Sequence, residues 1–256
     1  MNILLIVEGK VDEPTLFSRI FTRYGFHTVV ADQPLFIEGL GTWNKSEFAK
    51  DKSNVVIVQG PRNRIHDLLV DISKEEVSIE RYFHYDYATF SSIFLIYDVD
   101  HNDCDDLKPM FALCSDETSS GLLLVNSPCL EVIGDYNRER GESKYHHLKE
   151  YKTDINEHYK GMTFDYIENH FDELMLYFLK KNYEDFLEDD VMEHPGRIID
   201  FINKRNTRVN CIDPKDSYVI YRYFSTVVYV AIAYTAGLTR ETRNYQRVVE
   251  FFEEGE

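Results

Sequence analysis

The stretch that most constrains the fold of this chain is the apolar run near its start. Ile3 to Val7 is unbroken by any polar residue, and Glu8 and Gly9 follow directly. Such a run ending at a turn is typical of a strand buried on both faces of a parallel sheet. Asp12 and Glu13 then favour the start of a helix, because acidic side chains suit the positive end of its dipole. We therefore expect Glu8 at the carboxyl end of a strand, where open α/β sheets bind ligands.

A second apolar run predicts a partner for this strand. Residues 92–97 are mostly apolar, and Asp98 and Asp100 follow them. If the two strands are neighbours, Glu8 meets both aspartates at one edge of the sheet. Clustered carboxylates repel one another unless a cation lies among them. Mg²⁺ prefers carboxylates, water and phosphate as ligands, so the residue types predict chemistry on phosphates with Mg²⁺ or Mn²⁺.

Other residues extend this predicted site. Glu131 lies past a third apolar strand, where it either completes the acidic cluster or simply starts a helix. Lys10 lies two residues after Glu8, where it either neutralises a phosphate or is a surface lysine. The same two interpretations hold for Arg62 and Arg64, which follow the strand predicted at residues 54–60.

These motifs resemble a known domain. Val7-Glu8-Gly9 with Asp12-Glu13, followed some ninety residues later by Asp98-Val99-Asp100, resembles the TOPRIM domain. That domain occurs in type II topoisomerases, bacterial primases, small nucleases and OLD-family nucleases. Asn126-Ser127-Pro128 with Glu131 is similar to the turn of its RloB-like branch, found in phage-defence and CRISPR-associated loci. The resemblance covers residues 1 to about 135.

The resemblance implies a fold, an activity and partners. The fold is α/β, with a mostly parallel, Rossmann-like sheet flanked by helices. The activity is metal-dependent cleavage of RNA or DNA by the effector of a phage-defence system, controlled by an ATPase partner. Glu8 is then either a metal ligand or a general acid and base. The implied catalytic residues are Glu8, Lys10, Asp98 and Asp100, and the implied ligands of Mg²⁺ or Mn²⁺ are Glu8, Asp12, Asp98, Asp100 and Glu131.

The chain changes in character near residue 135, which predicts two domains. Residues 1–135 form the TOPRIM-like domain in this interpretation, and residues 136–256 form a helical region. After a polar loop at 136–144, helical spacing of apolar residues predicts helices only. They are expected at residues 145–158, 163–187, 191–204, 216–236 and 239–253.

The net charge weighs on the choice of partners. The chain carries 45 acidic and 28 basic residues, a formal net charge of −17, whereas nucleic-acid binders usually present a basic surface. Either a partner supplies positive charge, or the substrate is not a free polyanion. The alternative function is a non-catalytic acidic adaptor or inhibitor on a TOPRIM-like scaffold. Four scattered cysteines indicate a reducing cytoplasm, and we expect no membrane span. The sequence leaves open whether the chain forms a homo-oligomer.

Two other enzyme classes use a similar acidic pair. Asp98-Val99-Asp100 also resembles the start of haloacid-dehalogenase-type phosphatases, but those have a threonine where Asn102 stands. Glycosyltransferases use Asp-x-Asp at a strand end as well, although nothing else in the chain indicates a nucleotide-sugar fold. Because Glu8-Gly9 and the acidic pair occur together, metal-dependent hydrolysis is the favoured hypothesis.

Overall fold

Parallel pairing of three apolar strands forms the centre of the fold, as seen in a computed structural model. Strand β1 (Asn2–Val7) lies between β3 (Asn54–Gln59) and β4 (Ser92–Asp98) and pairs parallel with both. Every residue of β4 is buried, as are Ile3–Val7 of β1. Strands buried on both faces need cover above and below, so the sheet is flanked by helices. This part of the prediction, an α/β fold with a mostly parallel sheet, is confirmed.

The structure describes eleven segments of the chain. They are residues 1–31, 48–60, 65–75, 89–99, 104–127, 129–135, 143–145, 148–175, 198–206, 219–221 and 224–226. Within them the chain divides into two compact units. The first comprises residues 1–125 and 211–216, and the second comprises residues 126–210 and 217–256.

The first unit holds the sheet and its helices. Its remaining elements are β2 (His27–Ala31), α1 (Asp12–Arg23), α2 (Ile65–Glu75), α3 (Cys104–Leu113), β5 (Ser115–Asp116) and β6 (Gly121–Ser127), whose last two residues belong to the second unit. The strand order is β2-β3-β1-β4-β6-β5. Strand β2 pairs parallel with β3, and β5 pairs antiparallel with β6. The sheet therefore places the two predicted acidic strands, β1 and β4, side by side at its centre.

Helix α1 shows how the sequence determines the local packing. Leu16, Phe17, Ile20 and Phe21 are all buried, which is the apolar stripe expected from their spacing. The helix ends where Gly25 adopts a φ of 88°, a left-handed conformation that glycine takes without strain. The chain then turns into β2, and Phe26 packs edge-on against Phe21 with ring centroids 5.4 Å apart. The end of the helix thus sets the start of the next strand.

The described residues of the second unit lie mainly in short helices. They are α4 (Val132–Asp135), α5 (Leu148–His158), α6 (Thr163–Asn169) and α7 (Ile198–Asn206). Helix α4 packs closely on α6, since a Cβ at Gly134 would lie 3.1 Å from Ile167. The Tyr159 hydroxyl donates a hydrogen bond to the Gly134 carbonyl oxygen at 2.6 Å. These contacts fix the turn that follows β6 within this unit.

The prediction that residues 136–256 contain helices only is wrong. Strand β7 (Ser143–Tyr145) pairs antiparallel with β8 (Val219–Tyr221), and β9 (Phe224–Ser225) pairs with the last two residues of β6. Strands β8 and β9 fall inside the helix expected at 216–236. A short run of β-branched and aromatic residues suits either structure, and strand pairing decides between them. The helix expected at 239–253 lies outside the described residues.

In the described segments, no helix is both long enough and apolar enough to cross a bilayer.

Hydrogen bonds of Asn54 tie together the amino ends of the central strands. Its side chain is buried, and its Oδ1 accepts a hydrogen bond from the Ala49 amide at 2.8 Å. Its Nδ2 donates to Asn2 Oδ1 at 2.9 Å, and Asn2 in turn donates to the Thr89 carbonyl oxygen at 3.0 Å. The network sits at the edge of the sheet opposite to Glu8 and Asp98.

We predict that Asn54→Ala lowers the free energy of unfolding by about 2 kcal/mol, because it leaves buried polar groups without partners. Lys50→Ala, at a nearby exposed position, serves as the control and should stay within about 0.5 kcal/mol of wild type. Urea denaturation measures both changes. Equal stability of the two variants would show that the network does not hold the strands.

Candidate functional site

Glu8 and Asp98 lie next to each other at the carboxyl edge of the central sheet. Strands β1 and β4 run parallel with Val7 opposite Ile96, so both strands end at the same edge. The Glu8 amide continues the pairing by donating to the Ile96 carbonyl oxygen at 3.0 Å. The Glu8 carboxylate then accepts a hydrogen bond from the Asp98 amide through Oε2, at 2.8 Å. Two acidic residues ninety positions apart in the chain are thereby brought together.

This hydrogen bond orients the Glu8 side chain. A carboxylate has two oxygens that accept hydrogen bonds or bind cations. Oε2 is directed at the backbone of β4, so the orientation of the carboxylate is set by the sheet itself. Glu8 is partly exposed and Asp98 is 8% exposed, so solvent reaches this edge mainly beside Glu8.

The end of β3 lies beside the end of β1, on the side opposite to β4. The Gly60 amide donates to the Val7 carbonyl oxygen at 2.7 Å. A Cβ at Gly60 would lie only 2.5 Å from the hydroxyl oxygen of Tyr97, which is fully buried. Gly60 therefore leaves room for the Tyr97 side chain beside the end of β3, and Asp98 is the next residue of β4.

Gly9 makes a different close approach. A Cβ at this position would clash with the carboxyl group of Glu13, which folds back from the first turn of α1 over the backbone. Glu13 is only partly buried and has a flexible side chain. The close approach at Gly9 is thus to the flexible side chain of Glu13, whereas the close approach at Gly60 is to the buried Tyr97 ring, which has little room to move.

The remaining predicted residues of the first unit differ in how the structure places them. Lys10 and Asp12 are exposed, and Asp12 is the first residue of α1. Their side chains form no hydrogen bond or ion pair with the described residues. Asp100, Arg62 and Arg64 lie outside the described segments. The structure therefore brings together Glu8 and Asp98 from the predicted set.

Glu131 belongs to the second unit, in the turn between β6 and α4. Its side chain is 12% exposed, and its Oε1 lies 4.0 Å from Nζ of Lys152 on α5. The turn is held by backbone hydrogen bonds from Val132 to Cys129 and from Gly134 to Glu131, both at 3.0 Å. Because Lys152 lies at the outer limit of an ion pair, the largely buried Glu131 carboxylate can still bind another cation.

Cys129 is a neighbour of Glu131 to which the sequence analysis assigned no role. Its side chain is fully buried, and its Sγ lies within 4.8 Å of a carboxylate oxygen of Glu131. The signal was present as the Cys129-Leu130-Glu131 spacing, which places two metal-ligand types two residues apart. Cysteine ligands are usually recognised in a sequence as Cys-x-x-Cys pairs, and Cys129 has no such partner.

Comparisons of this chain with protein-family models, with curated proteins and with solved structures found no match. The fold defines an α/β protein with a mostly parallel sheet. Its likeness to the TOPRIM domain rests on the sequence motifs and stays a prediction.

We predict that Gly60→Ala destabilises the protein by about 1–3 kcal/mol, because the buried Tyr97 ring cannot move away from the added methyl group. Gly9→Ala is the matched control, since the flexible Glu13 side chain can yield, and it should cost clearly less. Combining Gly60→Ala with Tyr97→Phe removes the clashing oxygen and should recover part of the loss. Thermal and urea denaturation of wild type, of the single variants Gly60→Ala and Tyr97→Phe, and of the double variant give the coupling energy. Additive costs of the two substitutions would contradict the proposed contact.

Proposed function

We propose that this protein is a metal-dependent nuclease that hydrolyses phosphodiester bonds at the carboxyl edge of its sheet. The observation that carries the proposal is the hydrogen bond that the Glu8 carboxylate accepts from the Asp98 amide at 2.8 Å, at the carboxyl ends of two adjacent parallel strands. This edge is where open parallel sheets bind their ligands. The motif resemblance to TOPRIM nucleases supports the same activity.

The residue types fit a hard divalent cation. Glu8 and Asp98 offer carboxylate oxygens from adjacent strands, and Asp100 follows two residues later in the chain. Mg²⁺ and Mn²⁺ accept such oxygens together with water and phosphate. Asp12 and Glu131 are the remaining proposed ligands, and Glu131 carries little solvent exposure of its own. When bound, such an ion supplies a hydroxide nucleophile and stabilises the leaving oxygen.

The side chains of the chain itself have separate roles in this proposal. Glu8 is oriented by the hydrogen bond from the Asp98 amide, so its carboxylate does not have to be reoriented at the moment of reaction. It acts either as a metal ligand or as the group that moves a proton. Lys10, exposed on the turn after β1, neutralises charge on the phosphate.

Charge favours dependence on a partner. A chain with net charge −17 is repelled by nucleic acid at low salt and associates with it slowly. We propose that a regulatory ATPase or another sensor with a basic surface positions the substrate, as in a phage-defence effector. The substrate is then RNA, such as tRNA, or DNA.

The same charge favours a second candidate function. An acidic α/β protein can act without catalysis, as an adaptor or inhibitor whose surface mimics nucleic acid. Its activity would depend on the total surface charge and not on the partly buried acids at the sheet edge. Substitution of Glu8 and Asp98 therefore separates the two functions.

We predict that Glu8→Gln and Asp98→Asn each reduce cleavage of plasmid DNA or total RNA by about 100-fold or more in Mg²⁺ or Mn²⁺. Glutamine still accepts the hydrogen bond from the Asp98 amide, so Glu8→Gln should keep the wild-type melting temperature. Asp67→Asn on α2 removes an exposed acid and is the matched control, with wild-type activity expected. Chelation should stop cleavage, and added Mn²⁺ should restore it.

Undiminished cleavage by the Glu8→Gln protein would refute the nuclease proposal. Absence of cleavage by every form, together with an unchanged biological effect of Glu8→Gln, would favour the adaptor. Gel analysis of the products and a plaque assay in cells carrying each variant provide the two readouts.

A further inference from the structure

We propose that three stacked rings of the second unit form a docking surface for an arginine-bearing segment of a partner protein. The rings are those of Tyr159, Tyr166 and His170, and we refer to them as the ring stack. All three residues belong to the second unit. This inference rests on the part of the proposed function that assigns a basic partner, and it names the surface that receives that partner.

The rings form one continuous aromatic series. The Tyr166 ring stacks on both of the others, with its centroid 4.3 Å from that of Tyr159 and 4.3 Å from that of His170. The interplanar angles are 27° and 23°, so the rings are nearly parallel. His158 adds a further ring, edge-on to Tyr159 with centroids 4.6 Å apart. A planar group that stacks at the end of such a series contacts the face of an aromatic ring.

Hydrogen bonds hold the ring stack in place. The Tyr159 hydroxyl donates to the Gly134 carbonyl oxygen at 2.6 Å. The Nδ1 of His170 donates to the Tyr166 carbonyl oxygen at 3.0 Å. The backbone amides of Tyr166 and His170 each donate to the carbonyl oxygen four residues earlier, at 2.9 and 3.0 Å. A surface that is ordered before binding loses little conformational entropy when a partner docks.

The ring stack is accessible from solvent. Tyr159, Tyr166 and His170 are each partly exposed, and His158 is exposed. Met162 lies four residues before Tyr166, on the same side of this helical turn, and is 58% exposed. Aromatic residues and methionine are enriched at protein interfaces relative to the remaining surface. The composition around the ring stack is therefore that of a protein-binding surface.

Charge decides which partner suits this surface. Residues 149–175 contain seven acidic residues and three lysines, so they repel a phosphate backbone. Glu157 directly precedes His158, and Glu173 follows His170 by three residues, on the same face of the helical turn. Both glutamates are exposed, and neither side chain forms a hydrogen bond or ion pair with the described residues. A carboxylate therefore lies close in the chain to each end of the ring stack.

Arginine fits this combination of rings and carboxylates better than lysine does. Its guanidinium group is planar, stacks on aromatic rings, and pairs with a carboxylate through two parallel N–H donors. A lysine ammonium is a compact and strongly hydrated charge without a face to stack. An arginine-bearing partner would also supply the positive surface that a chain of net charge −17 lacks.

The test is fluorescence anisotropy of a labelled deca-arginine peptide with the full chain, in the absence of metal and nucleic acid. We expect wild type to bind, and His170→Ala and Glu173→Gln each to bind about fivefold more weakly. His170→Phe keeps a ring at the end of the stack and should stay within about twofold of wild type. Deca-lysine should bind wild type about fivefold more weakly than deca-arginine.

The matched control for Glu173→Gln is Asp67→Asn on α2, which removes one exposed acid from the first unit and should leave the affinity unchanged. The melting temperature of each variant is measured, so that loss of the fold is not mistaken for loss of a contact. Absence of peptide binding by wild type would overturn the inference. Equal weakening by Glu173→Gln and Asp67→Asn, or equal binding of the two peptides, would show only diffuse attraction to an acidic chain and would also overturn it.

A labelled single-stranded oligouridylate tests the other kind of partner. Tighter binding of this RNA than of deca-arginine, abolished by His170→Ala, would make the ring stack a nucleic-acid surface and refute the inference. The Glu8→Gln protein separates the docking surface from the nuclease proposal. If it binds the peptide and lacks cleavage, both proposals stand, whereas peptide binding with undiminished cleavage leaves only the docking surface.

Discussion

The hydrogen bond between the Asp98 amide and the Glu8 carboxylate is the interaction on which the candidate site depends. It joins the ends of two parallel strands that no local sequence signal connects. Because Glu8 follows a strand that is buried along its whole apolar run, its backbone has little freedom to move. One oxygen of its carboxylate accepts a hydrogen bond from the backbone of the neighbouring strand. A rigid element that orients a reactive group in this way is the usual basis of preorganised chemistry.

The close approach at Gly60 complements this bond from the other side of β1. The Tyr97 ring is buried beneath the end of β3, and Asp98 is the next residue along β4. The position of Asp98 thus follows from aromatic packing as well as from strand pairing. At the opposite edge, the Asn54 side chain closes the sheet with neutral amide groups. The two edges of one sheet therefore differ in chemistry, with amides at one and carboxylates at the other.

Much of the first unit was predictable from sequence because long apolar runs leave few alternatives. The runs before Glu8 and Asp98 are too apolar for an exposed strand and too short for a helix of typical length, so parallel strands were the remaining choice. The stripe on α1 and the glycine that ends it followed in the same way. The second unit was harder to predict. Strand β8 has only three residues, and its pairing with β7 joins residues about 75 positions apart in the chain, which no local pattern reports.

The site was predictable in part for a related reason. A carboxylate directly after an apolar strand is easy to recognise in a sequence, which is why Glu8 and Asp98 were predicted. Cys129 was not predicted as a ligand, because a single cysteine is usually a small apolar residue in a core. Only the structure shows that its Sγ lies within 4.8 Å of a Glu131 carboxylate oxygen. Lys10 and Asp12 follow the same turn as Glu8, yet the structure leaves both side chains exposed. A motif thus identifies candidate residues, and the fold determines which of them lie close together.

The central claim is that Glu8 and Asp98 hold a divalent cation at the carboxyl edge of the sheet. A crystal of the full chain soaked in Mn²⁺, with data collected at a wavelength where manganese scatters anomalously, tests it directly. The account predicts an anomalous peak in contact with the carboxylates of Glu8 and Asp98 that disappears in crystals of Glu8→Gln. A well-ordered sheet edge with no peak at these carboxylates would contradict it.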